Sequence, residues 1–316
     1  MCSWERLGLT CDTGSDDSDS EFAQRHSHAA VCVGSAVWIY GGFHGGALSD
    51  QLLELWPRDW SWRRRYAPGP PATVLHTMVS CLDQVILFGG LVQSEASSMA
   101  TNQLWLLDTT QCAWSLPATQ GEPPSARVGH AAAVASSQPD GAALMYVYGG
   151  YAPGTAEYLN DFTVLSLHTW AWSQPHISVD HCTPPLCSSA TLTALGGGAL
   201  LLLGGSQHKQ VTDAAMLLES DGEAGLVLSS LPLSTTESGP HAARSRPSAR
   251  CNHTATILGE SLYVYGGAAG SWEFDDVCRV DLRALRGAQR VLQWELLKAR
   301  PPRASSLPLP RQHHVA

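Results

Sequence analysis

Arginine and histidine recur three residues apart at four places: Arg25 and His28, Arg127 and His130, Arg250 and His253, Arg311 and His314. Histidine can ligate metals and carry protons, and arginine can grip a carboxylate with two parallel bonds. A metal centre needs its ligands to converge on one ion at about 2 Å. These motifs are instead spread along the whole chain. His26/His28 and His313/His314 are close in sequence, but no acidic or cysteine partner stands out beside them. Zinc is therefore not expected, nor any other cofactor, and the motif is expected to be structural. Neither a Gly-x-Ser-x-Gly nucleophile elbow nor a P-loop pattern occurs.

The elements that carry these residues repeat. Five apolar runs end in a glycine pair: VWIYGG, VILFGG, MYVYGG, LLLLGG and LYVYGG. The pairs start at Gly41, Gly89, Gly149, Gly204 and Gly266, spaced by 48, 60, 55 and 62 residues. His28, His76 and His253 lie thirteen residues before their pairs, and His130 lies nineteen before, behind the polar insertion SSQPDG. Asp50, Asn102 and Asn160 each lie twelve residues before a tryptophan, Trp62, Trp114 and Trp172. The fourth copy keeps the glycines and Asp213 but lacks the Arg-x-x-His and the tryptophan. Short segments rich in Val, Ile, Leu, Tyr and Trp, bounded by Gly, Pro, Ser and Asp, read as strands. The glycine pair is expected where side chains would crowd the backbone or resist positive φ. The tryptophans are expected to pack between repeats.

This coupled set of markers resembles the kelch repeat over nearly the whole chain. The resemblance implies an all-β fold, a kelch-type β-propeller with one four-stranded blade per repeat. Five repeats are recognisable: residues 25–72, 73–122, 123–184, 185–246 and 247–300. Trp4 stands where a fourth strand would end, and Pro310 to His314 repeat the signal that opens a first strand. A split, incomplete sixth blade is therefore expected, from residues 1–24 and 301–316, with a shortened isoform or fragment as its corollary. The alternative is a five-bladed ring with a C-terminal tail.

Composition narrows the function. The net charge of −9, with only Lys209 and Lys298 beside the arginines, argues against nucleic-acid backbone binding. The longest apolar stretch, 192–203, is too short to span a bilayer, and no signal-peptide pattern opens the chain. An intracellular protein, cytoplasmic or nuclear, is expected. The nine cysteines contain no CxxC pair. They read as small buried hydrophobes in a reducing compartment, Cys32 and Cys278 among them. Asn252-His253-Thr254 matches a glycosylation acceptor that should then stay unused.

In an antiparallel meander, the start of the first strand shares a face with the end of the second. That face would carry Arg25, Arg127, Arg250 and Arg311, with Phe43, His44, Leu91, Tyr151, Gln207 and His208. The resemblance implies a peptide-docking rim there, its arginines holding an acidic partner. The alternative is that the arginines pair with neighbouring loops and carbonyls. Arg63-Arg64-Arg65 are expected to pair with the acidic loop around Asp12 to Glu21, and residues 231–249 to form a long loop on the docking face. A non-catalytic adaptor or scaffold is expected, for a ubiquitin ligase, trafficking or the cytoskeleton, although no BTB or F-box companion is visible. The competing expectations are a metal-dependent oxidoreductase propeller and an accessory kelch domain of a larger enzyme.

Overall fold

The computed structural model describes residues 2–3, 10–11, 25–93, 97–136, 141–180, 182–221, 225–235, 246–286, 290–297 and 299–300. Among the described residues, regular structure is strands apart from a 3-10 turn at Leu282–Arg286. Five antiparallel meanders follow one another, each with four strands here lettered a to d. The first joins Ala29–Val33, Ala36–Tyr40, Leu52–Trp56 and Ser61–Arg65. The second joins Thr77–Cys81, Gln84–Phe88, Leu104–Asp108 and Ala113–Ser115. The third joins Ala131–Ser136, Ala143–Ala152, Glu157–Ser166 and Trp172–Ser173. The fourth joins Thr191–Gly196, Ala199–Leu203, Ala215–Ser220 and Leu226–Ser230. The fifth joins Thr254–Leu258, Ser261–Tyr265, Val277–Asp281 and Leu292–Leu297.

Side chains on a strand alternate between its two faces, and in the central sheets both faces are covered. Leu200 and Leu202 face the third sheet, packing with Tyr148 and Phe162. Leu201 and Leu203 face the fifth, with Leu262, Val264 and Trp294. This is why strand b of the fourth sheet reads as an unbroken leucine run. Similar cores join the first sheet to the second, through Trp38, Tyr40 and Leu87, and the second to the third, through Phe88, Val147 and Trp172. Trp62, Trp172 and Trp294 are buried and Trp114 is half-buried, as expected of packing residues. The a strands of consecutive sheets pack side by side. All five line one cavity of about 260 Å³, bounded by residues 28–30, 76–78, 130–132, 190–192 and 253–255.

Three of the five outer edges carry a further strand. Thr10–Cys11, Ile177–Asp180 and Leu233–Thr235 add a parallel fifth strand to strand d of the first, fourth and fifth sheets. The chain leaving one sheet thus ties down the exposed edge of the next, which would otherwise invite foreign strands. Leu233–Thr235 correct the reading of 231–249 as one long loop; residues 236–245 lie outside the described residues. The same parallel polarity recurs where Cys2–Ser3 pair with Ala299–Arg300. Ala299 follows Trp294 by five residues, as Ile177 follows Trp172. Trp4 and residues 301–316, on which the split sixth blade rests, lie outside the described residues.

The glycine pairs join sheet to sheet. All ten glycines have positive φ, between 60° and 108°. The second N–H of a pair donates to a backbone carbonyl of the following sheet: Gly42 to Thr73, Gly90 to Arg127, Gly150 to Cys187 and Gly205 to Arg250, each at 2.9 Å. A Cβ on Gly41 would lie 2.4 Å from the Thr73 carbonyl oxygen and 2.9 Å from the His76 ring. Gly41→Ala should therefore cost at least about 2 kcal/mol. Gly154→Ala meets nothing within 4 Å and has no positive φ, so it should cost less than about 0.5 kcal/mol. Urea unfolding of the two variants checks both values.

Candidate functional site

The Arg-x-x-His motif is built into the same joints. Arg127 is only 1% exposed. Its Nη1 donates to the Gly149 carbonyl at 3.0 Å, and Nη1 and Nη2 reach the two Asp161 carboxylate oxygens at 2.8 and 2.9 Å. Its Nε donates to the Ser125 carbonyl. Arg250 repeats the arrangement with Gly266, Asp276 and Ser248, and lies 4.1 Å from the Phe274 ring centre. Arg25 likewise donates to the Gly41 carbonyl of its own sheet, and to Gln51 Oε1. The arginine residue thus has two tasks. Its backbone carbonyl takes the glycine N–H of the sheet before, and its guanidinium holds the glycine carbonyl of its own sheet.

The histidines fill space left by absent side chains. A Cβ on Gly89 would lie 2.8 Å from His130 Cε1, and one on Gly204 2.7 Å from His253 Cε1. His76 stands edge-on to Tyr40 and His130 edge-on to Phe88, with ring centres 5.8 and 5.3 Å apart. Hydrogen bonds link His130 Nε2 to Thr77 and His253 Nε2 to Thr191, each in a neighbouring sheet. Burial pushes His76 and His130 down to about 3, helped by the neighbouring His28 charge and by Arg127 and His76 respectively. These rings are therefore neutral throughout the ordinary pH range. Among the described residues no group of three His, Cys, Asp or Glu is placed to hold a metal ion.

Phe43, His44, Leu91, Tyr151, Gln207 and His208 do lie on one face with the entries to the a strands. Backbone bridges pair Phe43 with His26, Tyr151 with Val128, and Ser206 with Ser188, and Leu91 with Val74. The arginines are the exception on that face. Arg127 and Arg250 are buried and their donors are occupied within the chain, so this geometry does not present them to an acidic partner. Arg311 lies outside the described residues. Of two further expectations, one rests on residues outside those described and one is corrected in part. Arg63 and Arg65 pair with the buried Glu54 on the adjacent strand, at 3.0 and 2.8 Å, and the acidic loop lies outside the described residues. Cys278 is buried, with its thiol pushed up to about 12 chiefly by burial, but Cys32 is exposed. No disulfide joins the described cysteines 32, 81, 112, 182, 187, 251 and 278.

Beyond each glycine pair the chain forms a hairpin before strand c. Phe43–His44 pair with Ala47–Leu48, Leu91–Gln93 with Ser98–Ala100, Ser206–Gln207 with Gln210–Val211, and Ala268–Ala269 with Trp272–Glu273. In the third sheet the hairpin simply extends strands b and c. Apolar side chains stand on these hairpins. Phe43 is at the edge of exposure, Met99 is 56% exposed and Trp272 70%. Tyr151, Tyr158 and His208 form a chain of rings with centres 5.0 and 4.7 Å apart. Met99, Tyr158 and Trp272 escaped the sequence reading because they sit on the return arms of hairpins, which carry no fixed phase to the glycine pair.

The joints account for the glycine pairs and for the arginines and histidines of the repeat, and comparison with known proteins agrees. The family profile of the KLHDC2/KLHL20/DRC7 Kelch-repeats domain matches residues 75–224. The chain contains a kelch-repeat domain. Host cell factor 2 of Homo sapiens is 28% identical over 310 residues, covering 90% of this chain and 37% of that protein. Host cell factor of Drosophila melanogaster is 25% identical over 280 residues, 81% of this chain and 18% of that protein. Acyl-CoA-binding domain-containing protein 5 of Arabidopsis thaliana is 25% identical over 256 residues, 77% of this chain and 36% of that protein. The kelch chain therefore spans between about a fifth and two fifths of these relatives' length. Among the described residues, no helix is long and apolar enough to cross a membrane.

The two buried arginines give a stability prediction. Arg127→Ala removes bonds to Asp161, Gly149 and Ser125, and should cost roughly 2–4 kcal/mol. Arg25→Ala removes bonds to Gly41 and Gln51 at a half-buried position and should cost about 1–2 kcal/mol. Chemical denaturation of both variants, beside the parent, tests this order.

Proposed function

We propose that this kelch chain is a non-catalytic protein-binding module, an adaptor or scaffold whose partner docks on the hairpin face. The supporting observation is a division of labour. The arginines and histidines of the repeat are spent on joints between strands and sheets. Phe43, His44, Met99, Tyr151, Tyr158, His208 and Trp272 are carried on the hairpins beyond the glycine pairs. Aromatic residues and methionine are enriched in the cores of protein interfaces, and hairpins on a rigid sheet scaffold are a common place for recognition. The opposite face carries connections between strands a and b, such as the turn at Leu82.

Site-specific photocrosslinking tests the choice of face. A benzophenone side chain at Tyr158 or Phe43 should give discrete protein adducts in cells, and one at Leu82 should not. Leu82 is 90% exposed, so it is a demanding control. Equal adduct patterns from both faces would remove the support for this reading.

A further inference from the structure

Two cavities flank the extended hairpin of the third sheet. One, of about 530 Å³, lies towards the second sheet; Met99, Ala126, Ala152, Pro153 and Leu159 are among its lining residues. The other, of about 480 Å³, lies towards the fourth; its lining includes Tyr158, Leu186 and His208. Glu157 and Leu159 line both. They point to one side of their strand, so the hairpin forms a ridge with a carboxylate between two partly apolar hollows. Met99 and Leu186, one in each hollow, are 56% and 40% exposed.

The charge around this ridge is chiefly negative, with Lys209 beside His208 as the exception. Glu157 is exposed and makes no hydrogen bond or ion pair among the described residues. The same holds for Asp50 and Asp275, which end the hairpin segments of the first and fifth sheets. The cations nearby are already matched: Arg127 by Asp161, Arg250 by Asp276 and Arg246 by Asp213. Lys209 is the one exposed lysine described on these hairpins. The whole chain carries −9, so its field also attracts cationic partners.

We infer that the occupant of this ridge is a basic segment of a partner protein, with a lysine or arginine on Glu157 and an apolar side chain in each flanking cavity. This rests on the docking reading and reverses the partner charge expected from the arginines. Burying two apolar anchors supplies the affinity. The central ion pair sets order and register more than strength.

Selection of a random twelve-residue peptide display library on the purified chain tests it. Selected peptides should carry net positive charge, with Leu, Ile, Met or Phe on both sides of a Lys or Arg. Glu157→Lys should weaken the synthetic peptides at least tenfold, and Met99→Asp similarly, with melting temperatures unchanged for these exposed sites. Acidic or uncharged peptides that are sensitive to Met99→Asp would overturn the basic partner and leave face docking intact. Recovery of no peptide, or only of peptides indifferent to both substitutions, would overturn both.

Discussion

One backbone hydrogen bond, repeated from sheet to sheet, constrains most of this molecule. The second glycine of each of the first four pairs donates its N–H to the carbonyl that opens the following sheet, at 2.9 Å in all four joints. For that approach the first glycine must lack a Cβ, because the next sheet's carbonyl or histidine ring occupies its place. The positive φ at both glycines turns the chain out of strand b at the right point. Buried amides left unpaired there would cost about 1–3 kcal/mol each. The joint therefore fixes the register of one sheet against the next, and the aliphatic and aromatic cores between sheets follow from that register.

The side chains around the joint are variable in a way the backbone is not. In the fourth sheet Cys187 and Ala190 occupy the arginine and histidine positions, yet the Cys187 carbonyl still accepts from Gly150. The Cys187 thiol, pushed up to about 11 chiefly by burial, is a neutral filler there. In the second sheet Thr73 takes the arginine position, and its carbonyl accepts from Gly42. The arginine adds strength by holding its own glycine carbonyl against an aspartate, but the joint does not need it. This explains why a repeat can lose its most conspicuous residues and remain a repeat. It also leaves the hairpins beyond the joint free to differ in length and side chain without disturbing the sheets.

Much of the fold was legible because its markers have fixed phase. VWIYGG, LLLLGG and their counterparts announce strand b and its turn, and the twelve-residue step to tryptophan announces strands c and d. Trp114, Trp172 and Trp294 were read as packing between repeats, and they do, whereas Trp62 is buried against Ile39 and Leu53 of its own sheet. The partners of the arginines were harder to see. Asp161 lies 34 residues from Arg127, and only the folded sheet brings them together. Charge alone made the arginines look available; their burial decides otherwise. The parallel edge strands at Ile177–Asp180 and Leu233–Thr235 have no glycine or tryptophan of their own, so their sequence looks like linker. The exposed Met99, Tyr158 and Trp272 depend on how each hairpin closes, which variable spacing conceals.

The most direct test of the central joint is hydrogen exchange at the four donor amides, Gly42, Gly90, Gly150 and Gly205. Glycines at surface turns normally exchange fast, whereas amides held at a structural joint open only with the sheets they connect. The account predicts protection within about tenfold of that of strand amides such as Val85 and Leu201. Exchange as fast as at Gly45 and Gly46, on the tip of the first hairpin, would contradict it.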